Sequence, residues 1–527
     1  MSASAGSTAE PGTGSAAKAG GALVFLGFMG AGKSRAARAV ATALESRAVD
    51  SDDLLEQQLG HSIAEEFAQH GERAFREREE EVVCSLLRGA GPRDIISLGG
   101  GAVLSPAVRE ELRRHTAVLV DVELDRAWER ASGSGRPLAR DPEAFAHSYQ
   151  ERRPLYDAVA DAFLPAGDTG VVLRALPALR RLAGQPSGTR LVWATSASGE
   201  YPVLLGAGLL GSGAWPTEGQ VRRFSLTDEA VGRLYLSQLA RSECVITVAP
   251  GEESKTLRSA ELVWRTLARA GMTRADELVA LGGGVIGDLG GFCAATYQRG
   301  VATVLVPTTL VSQVDAAYGG KTGVDLPEAK NYVGAYHQPA GVLVDVDTLA
   351  TLPPAELAAG WAEVIKTALI AGGGLWRRVE AGAELDAGLI LDCVRTKVAV
   401  VAADERDGGR RQVLNLGHTI GHAIEVVTGY RRYRHGEAVA LGLLAALRLS
   451  GLDELRERVA ALLAARGLPL TLSADPDEVV AATARDKKRL GAQVPFVLLD
   501  APGAPRPGCL LPADEVRAAV AELASEG

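Results

Sequence analysis

Eight residues near the start of the chain, Gly27-Phe-Met-Gly30-Ala-Gly32-Lys33-Ser34, commit it to a strand, a glycine turn and a helix, in that order. They follow the apolar segment ALVFL and precede the alanine-rich RAARAVATAL, which is the context in which G-x-x-x-x-G-K-[ST] folds around phosphate. Gly30 and Gly32 let backbone N–H groups and the helix N-terminus converge on an anion. Lys33 is placed to reach terminal phosphates, and the Ser34 hydroxyl to hold Mg²⁺. An ordinary glycine turn before a helix would need neither the lysine nor the serine. The implied architecture is α/β, a parallel sheet with flanking helices.

At 527 residues the chain exceeds what one core supports, and two or three domains are expected. A formal charge of −9 argues against nucleic acid as a partner, so basic residues should serve small anions singly. No apolar run approaches the ~20 residues that span a bilayer, so no membrane is expected. Cys84, Cys244, Cys293, Cys393 and Cys509 are scattered without a CxxC pair, as in a reduced cytoplasmic protein. Residues 1–20, rich in Ala, Gly, Ser and Thr, read as a disordered leader without the apolar stretch of a signal peptide.

After the phosphate turn, AVDSDDLLE places Asp50 and Asp52 at the end of a second apolar segment, and strand alternation directs both to one side. One carboxylate can help order Mg²⁺ while the other orients a substrate hydroxyl, although a solvated acidic turn has the same composition. GERAFRERE offers Arg76 on a helix, LGGGAV a glycine turn at Gly99–Gly101, GSGRPLARD an arginine-bearing loop, and ERRPLYDAVAD the pair Arg152 and Arg153. Guanidinium forks suit carboxylate and phosphate.

In this order the motifs of residues 22 to about 170 resemble shikimate kinase. The resemblance implies ATP and Mg²⁺ bound by Gly30, Gly32, Lys33 and Ser34, with Asp50 supporting the metal shell. It implies shikimate held by Asp52, Arg76, Gly100 and Arg152, with Asp52 against the reacting hydroxyl. Arg136, in the loop, would stabilise the transferring phosphoryl group and touch ATP. The Arg76 and Arg152 pair demands a carboxylate on the acceptor, which other small-molecule kinases of this type do not share.

Between about 168 and 190 the composition shifts to a short amphipathic piece ending in Gln-Pro-Ser-Gly-Thr, a terminal helix plus linker. Alternating strands and helices follow. FSLTDEAV ends a strand at Asp228, VITVAPGEESKTL supplies Glu252 and Lys255, and DELVALGGGVIGDLGG is strand, glycine turn and helix. That is a Rossmann-like arrangement, but its Gly282–Gly284 run is not the usual GxGxxG, and an ordinary glycine turn fits it equally. Further on, Thr308-Thr309, Asp315, Lys321, Lys330 and Asn331 stand among glycines, read as loops that handle an anion. Beyond Asp347 the chain becomes mainly helical.

Three of the eight histidines fall within NLGHTIGHAIEVVTGYRRYRHGE, residues 415–437. His418 and His422 are four apart and share a helix face. A zinc-like ion and a satisfied histidine pair both account for them, and the missing acid stands upstream at Glu363.

Together these segments, Asp315, GGKTGVD, KNYVG, AEVIK, LNLGHTIGHAIE and HGEAV, resemble 3-dehydroquinate synthase from about 190 to the C-terminus. The resemblance implies an NAD-binding α/β domain followed by an all-helical metal domain, with Zn²⁺ or Co²⁺ on Glu363, His418 and His435. It makes His422 a proton-handling group. It implies NAD⁺ at Asp228, Glu252, Lys255, Gly283, Gly284, Val285, Asp288, Thr308, Thr309, Lys321 and Lys330. The substrate's phosphate and carboxylate would meet Asp315, Lys321, Asn331, Lys366, Lys397, Arg411, Asn415 and one of Lys487 and Lys488, with Lys366, Lys397 and His422 in catalytic roles. Arg299 would reach the neighbouring subunit's site, implying a homodimer. Ala230 departs from the family's frequent Asn and removes one hydrogen bond to the cofactor.

The expected organisation is leader 1–20, kinase 21–170, linker 171–190, NAD domain 191–347 and metal domain 348–527. The expected function is bifunctional: phosphorylation of shikimate, and conversion of a seven-carbon keto sugar acid phosphate to 3-dehydroquinate with NAD regenerated in each turnover. Two rivals are a synthase with a regulatory nucleotide module and a metal-dependent polyol dehydrogenase. Intact Asp52, Arg76, Arg136 and Arg152 oppose the first, and the lysine and arginine set for an anionic substrate opposes the second.

Overall fold

The computed structural model describes residues 20–132, 141–239, 241–483 and 494–524. The chain divides into two compact units, Met1–Leu191 and Val192–Gly527.

The first unit is built on β1 (Leu23–Leu26), β2 (Ala48–Asp50), β3 (Ile95–Ser97), β4 (Thr116–Asp121) and β5 (Ala162–Pro165), in the order β2-β3-β1-β4-β5. All neighbours are parallel. β1 is buried at every position, which is why it reads as an unbroken apolar run rather than an alternating one. Gly32 turns the chain from β1 into the helix Lys33–Ala43 with φ 93°, a left-handed conformation that costs glycine little.

Two expectations change here. Asp50 ends β2 and caps the helix Ser51–Leu59 by accepting from Asp52 N at 3.0 Å, so Asp52 lies in the first helical turn. Strand alternation therefore does not govern its direction. The terminal helix expected ahead of the linker is Thr169–Leu182, which buries Val172, Ala175, Leu176, Leu179 and Leu182 within the first unit, so the linker expected over 171–190 shortens to residues 183–189, outside regular structure before the next strand.

The second unit contains β6 (Arg190–Thr195), β7 (Glu200–Gly206), β8 (Arg223–Asp228), β9 (Cys244–Val248), β10 (Glu277–Gly282), β11 (Ala302–Pro307), β12 (Lys321–Leu326), β13 (Ala329–Tyr336), β14 (Gly341–Asp345), β15 (Phe496–Ala501) and β16 (Ala504–Cys509). Its sheet runs β6-β7-β14-β11-β10-β8-β9, parallel from β7 to β9. Asp228 thus ends its strand, and Gly283 and Thr308 follow the ends of theirs, at the carboxyl edge of neighbouring strands where open α/β sheets bind ligands. Lys321, Lys330 and Asn331, expected on loops, stand instead on the antiparallel hairpin of β12 and β13. The region after Asp347 is mainly helical but not wholly so, because β15 and β16 form a second hairpin within it.

The helix His435–Leu449 is buried almost all round from Gly436 to Leu447, the signature of a central core helix. It packs against Pro354–Ala371 and His418–Val427 at two glycines. A Cβ on Gly436 would lie 1.9 Å from the Ala359 carbonyl oxygen, and one on Gly442 would lie 1.9 Å from that of Gly417. Among the described residues no helix is long and apolar enough to cross a membrane. All five cysteines are free thiols.

Candidate active sites

In the first unit the phosphate turn is folded as expected. Lys33 Nζ donates to the Phe28 carbonyl at 3.2 Å across the turn, and Ser34 Oγ accepts from Ser97 Oγ at 3.3 Å. Beside the turn lies a cavity of about 200 Å³ whose lining includes Gly30, Gly32, Arg35, Arg130 and Asp168.

The acceptor residues converge on the glycine turn after β3. Ser51 Oγ accepts from Gly99 N at 2.8 Å, and Arg152 Nη1 and Tyr156 Oη both donate to the Gly100 carbonyl, at 3.2 and 2.5 Å. A Cβ on Gly99 would sit 2.3 Å from Asp52 Oδ1, and one on Gly101 would sit 1.9 Å from Arg76 Nη1. Glycine is therefore what admits the carboxylate and the guanidinium together. Arg152 is buried over the Phe28 ring, and burial lowers its pKa, a cost that an anionic ligand would relieve. Arg153 points elsewhere, to Asp121 and Tyr149. Buried Glu79, not foreseen from the sequence, accepts from Arg76 Nη1 at 2.6 Å and sets its direction. Its signal was the i,i+3 spacing from Arg76. Arg136 lies outside the described residues.

In the second unit three helices bring Glu363, His418 and His435 together. Glu363 Oε1 is buried without a hydrogen-bond partner, and it lies 3.4 Å from His418 Nε2 and 3.5 Å from His435 Nε2. His418 Nδ1 donates to the Leu416 carbonyl at 3.2 Å, and His435 Nδ1 faces Glu425 Oε2 at 3.3 Å. Both Nε2 atoms are thereby turned toward one oxygen. Two imidazoles oriented by outer oxygens and one carboxylate fit a zinc-class ion with a position left for substrate. Glu425 was missed by the sequence reading, although it stands seven residues after His418 on the same helix.

Charged partners extend in both directions from this centre. Glu363 Oε2 meets Lys366, whose ammonium is 3.7 Å from Asp315 Oδ1, and Lys397 Nζ approaches the same oxygen at 2.5 Å. On the other side Lys330 lies 3.6 Å from Glu425 and 3.7 Å from Glu252, and Lys255 lies 3.1 Å from Glu252 and 3.0 Å from Asp288. One ladder of opposite charges thus joins residues expected at the cofactor to residues expected at the metal and substrate.

The ladder sets the protonation states. Burial pushes the Glu363 carboxyl up, but the Lys366 ammonium and then His418 outweigh it and hold it well below the carboxylate range. Burial and the nearby Lys366 push His418 well below its ordinary value, which keeps its imidazole neutral. Burial opposes charge on His435 too, yet the carboxylates of Glu363 and Glu425 beside it push it up to about 10, so a metal binding there displaces a proton. Burial lowers Lys366 less than Asp315 and Glu363 raise it. For Lys397 burial prevails, and its pKa falls.

The cofactor residues fit a dinucleotide. Gly283 caps the helix Gly284–Thr296 with no side chain of its own, Val285 lies in its first turn, and the Thr308 hydroxyl is buried without a partner. Thr309 Oγ1 accepts from Ser312 N at 3.3 Å. Asp228 caps its own helix, accepting from Ala230 N and Val231 N at 2.9 Å each.

Several of the remaining predicted residues have local partners. Lys321 pairs with Asp407 at 2.6 Å, and Asn331 N donates to Asp325 at 2.7 Å. Buried Arg411 donates to the Glu405 and Gly319 carbonyls, and Asn415 closes the short turn Arg410–Asn415. The His422 ring stands 5.3 Å from that of His418 and 6.0 Å from that of His435. Arg299 is exposed, in left-handed backbone at φ 67°. Lys487 and Lys488 lie outside the described residues.

Sequence comparison matches residues 29–176 to the shikimate kinase family, 245–359 to the 3-dehydroquinate synthase N-terminal family and 360–489 to its C-terminal counterpart. The 3-dehydroquinate synthase of Halorhodospira halophila is 43% identical over 335 residues, covering 60% of this chain and 94% of that protein. Among solved structures, 2-epi-5-epi-valiolone synthase from Streptomyces hygroscopicus, with NAD⁺ and Zn²⁺ bound, is 27% identical, with a TM-score of 0.58 over 63% of this chain and 99% of that one. A 2-deoxy-scyllo-inosose synthase complexed with carbaglucose-6-phosphate, NAD⁺ and Co²⁺ is 25% identical, with a TM-score of 0.56 over the same shares.

Proposed function

This chain belongs to the 3-dehydroquinate synthase family and carries a shikimate kinase unit ahead of the synthase, and on that premise we propose a division of labour among its residues. The first unit phosphorylates shikimate with ATP and Mg²⁺. The second converts 3-deoxy-D-arabino-heptulosonate 7-phosphate to 3-dehydroquinate and releases phosphate.

In the kinase, Arg76 and Arg152 grip the carboxylate of shikimate and orient the ring. Asp52 accepts the hydrogen bond of the attacking hydroxyl and takes its proton as the phosphoryl group transfers. Lys33 neutralises the β- and γ-phosphates, with Gly30 and Gly32 presenting backbone N–H groups, and Ser34 and Asp50 serve Mg²⁺. The single observation that carries this reading is the crowding of Asp52 and Arg76 against Gly99 and Gly101.

In the synthase, Glu363, His418 and His435 hold the metal, while Gly283, Gly284, Val285, Thr308 and Thr309 cradle NAD⁺ between Lys255 and Asp228. When bound, the metal polarises substrate oxygens, and NAD⁺ takes up and returns a hydride. Lys366 and Lys397, both held by Asp315, supply positive charge for the phosphate and carboxylate, aided by Lys321, Asn331, Arg411 and Asn415. His422 moves a proton beside the metal ligands. The convergence of Glu363 Oε1 on two Nε2 atoms carries this reading.

The assay is of purified protein for ATP-dependent phosphorylation of shikimate and for phosphate release from the sugar acid. Chelation should abolish the second activity, and NADH should not accumulate during turnover. Steady growth of reduced cofactor would point instead to a dehydrogenase. Exposed Arg299 completes the site of a second copy, so an inactive Arg299→Ala protein mixed with inactive Lys366→Ala should regain synthase activity. Failure of all such mixtures would count against the dimer.

A further inference from the structure

The kinase unit holds a second meeting of imidazole and carboxylate, made of residues that neither site uses. Glu66 is buried, and its Oε2 lies 2.7 Å from His61 Nε2 and 3.1 Å from His70 Nδ1. The three ligand atoms all lie within 4.8 Å of one another.

Local folding sets this up. Ser62 and Glu65 form a reciprocal capping box at the start of the helix, with Glu65 N donating to Ser62 Oγ at 3.2 Å and Ser62 N to Glu65 Oε2 at 2.8 Å. That fixes the first turn, places Glu66 inward and brings His70 onto the same face one turn later. His61 precedes the cap.

The hydrogen bonds of His61 decide what it presents to Glu66. Its Nδ1 is 3.0 Å from the Leu59 carbonyl, which can only accept, so Nδ1 carries a proton there. Nε2 then either carries a second proton or turns a lone pair toward a carboxylate oxygen at 2.7 Å. Two lone pairs repel at that distance, so a positive charge belongs between them. Protons on His61 Nε2 and on His70 Nδ1 would satisfy the two contacts separately, and the alternative is that both nitrogens turn lone pairs inward around one cation. His70, approaching the same oxygen, makes a set of three donors that one divalent ion satisfies together. Ligand atoms around a tetrahedral zinc-class ion stand roughly 3.3 Å apart, given bond lengths of about 2.0–2.2 Å. The two separations from Glu66 Oε2 are 2.7 and 3.1 Å and all three atoms lie within 4.8 Å of one another, so side-chain rotation that opens the first two brings the set to that spacing. Two imidazoles with one carboxylate select Zn²⁺ and its neighbours over Mg²⁺.

We propose that His61, Glu66 and His70 bind a zinc-class divalent cation in the kinase unit, apart from the Mg²⁺ served by Ser34 and from the ion served by Glu363, His418 and His435. The bound ion ties the turn after the Asp52 helix to the stretch Ile63–His70. Gly71, at φ 80° and ψ 173°, breaks the long helix just before the part that carries Arg76. Ile63 and Phe67 pack on the apolar cluster of Leu55, Phe75 and Val82, so the staple stiffens the floor beneath both acceptor-binding helices.

The test uses the full chain. Zinc content after saturation with Zn²⁺ and gel filtration should fall by one equivalent per chain in Glu66→Gln and in His70→Ala, with phosphate-releasing activity unchanged in both. The His70 side chain is 54% exposed, so its replacement leaves the fold intact. Zn²⁺ should slow amide exchange over residues 60–71 in the parent and not in His70→Ala. Equal zinc content in parent and His70→Ala, or equal slowing in both, would show that protonated imidazole is the only cation there and would overturn the proposal.

Discussion

Glu425 carries no bond-making chemistry in the proposed synthase site, yet it decides which nitrogen of His435 faces Glu363. Glu425→Gln should keep the fold and weaken metal affinity about 10–100-fold, the usual effect of losing an orienting carboxylate behind a ligand. Competition with a chelator of known affinity measures it, and an unchanged affinity would mean that His435 is oriented by other means. In the kinase, Gly101→Ala would drive a methyl into Arg76 Nη1, so KM for shikimate should rise while KM for ATP stays constant. An unchanged shikimate KM would remove Arg76 from the acceptor site. The sequence disclosed the residues that belong to contiguous motifs, such as Lys33, Ser34, His418 and His435. It did not disclose Glu79 or Glu425. Carboxylates are common on helix surfaces, and nothing local distinguishes one that folds inward onto an arginine or an imidazole.

At the scale of elements, the metal ligands depend on how closely three helices approach. Gly442→Ala places a methyl against the Gly417 carbonyl, which is backbone and cannot swing aside, and Gly417 immediately precedes His418. We expect a loss of roughly 1–3 kcal/mol in stability, the common cost of overpacking a core. Metal content should fall with it. A thermal melt paired with metal analysis checks both, and a stabilised protein with full metal content would contradict the packing argument. Strand and helix types were largely readable from apolar runs and glycine turns. Residues near element ends were not: Asp52 reads as the end of a strand because its neighbours alternate, but Asp50 caps a helix there and rotates everything after it onto a helical path. The hairpin of β12 and β13 was hidden for a related reason, since its glycines and lysines have the composition of a loop.

For the whole molecule, each of the two compact units contains its own proposed set of catalytic residues. Lys33→Ala should cost the kinase on the order of 10³-fold or more by removing charge from the β/γ-phosphates, and leave the synthase at its starting rate. Lys366→Ala should do the reverse. Fragments cut within residues 183–189, beyond the last helix of the first unit, should each retain one activity. A large loss of synthase activity in folded Lys33→Ala protein would show that the two sites are coupled. The ladder from Lys397 through Asp315, Lys366, Glu363, His435, Glu425, Lys330, Glu252 and Lys255 to Asp288 has a kinetic consequence as well. Its charges alternate in sign when His435 carries a proton, a dication held there instead adds positive charge at that one point, the chain as a whole carries −9, and at physiological ionic strength what remains is screened beyond a Debye length of about 8 Å. An anionic sugar phosphate is therefore not drawn in from afar. Added salt screens a weak repulsion, so kcat/KM of the synthase should hold or rise with ionic strength, where an enzyme with a basic funnel would slow. The anion is chosen only on arrival, and the rate of encounter belongs to diffusion.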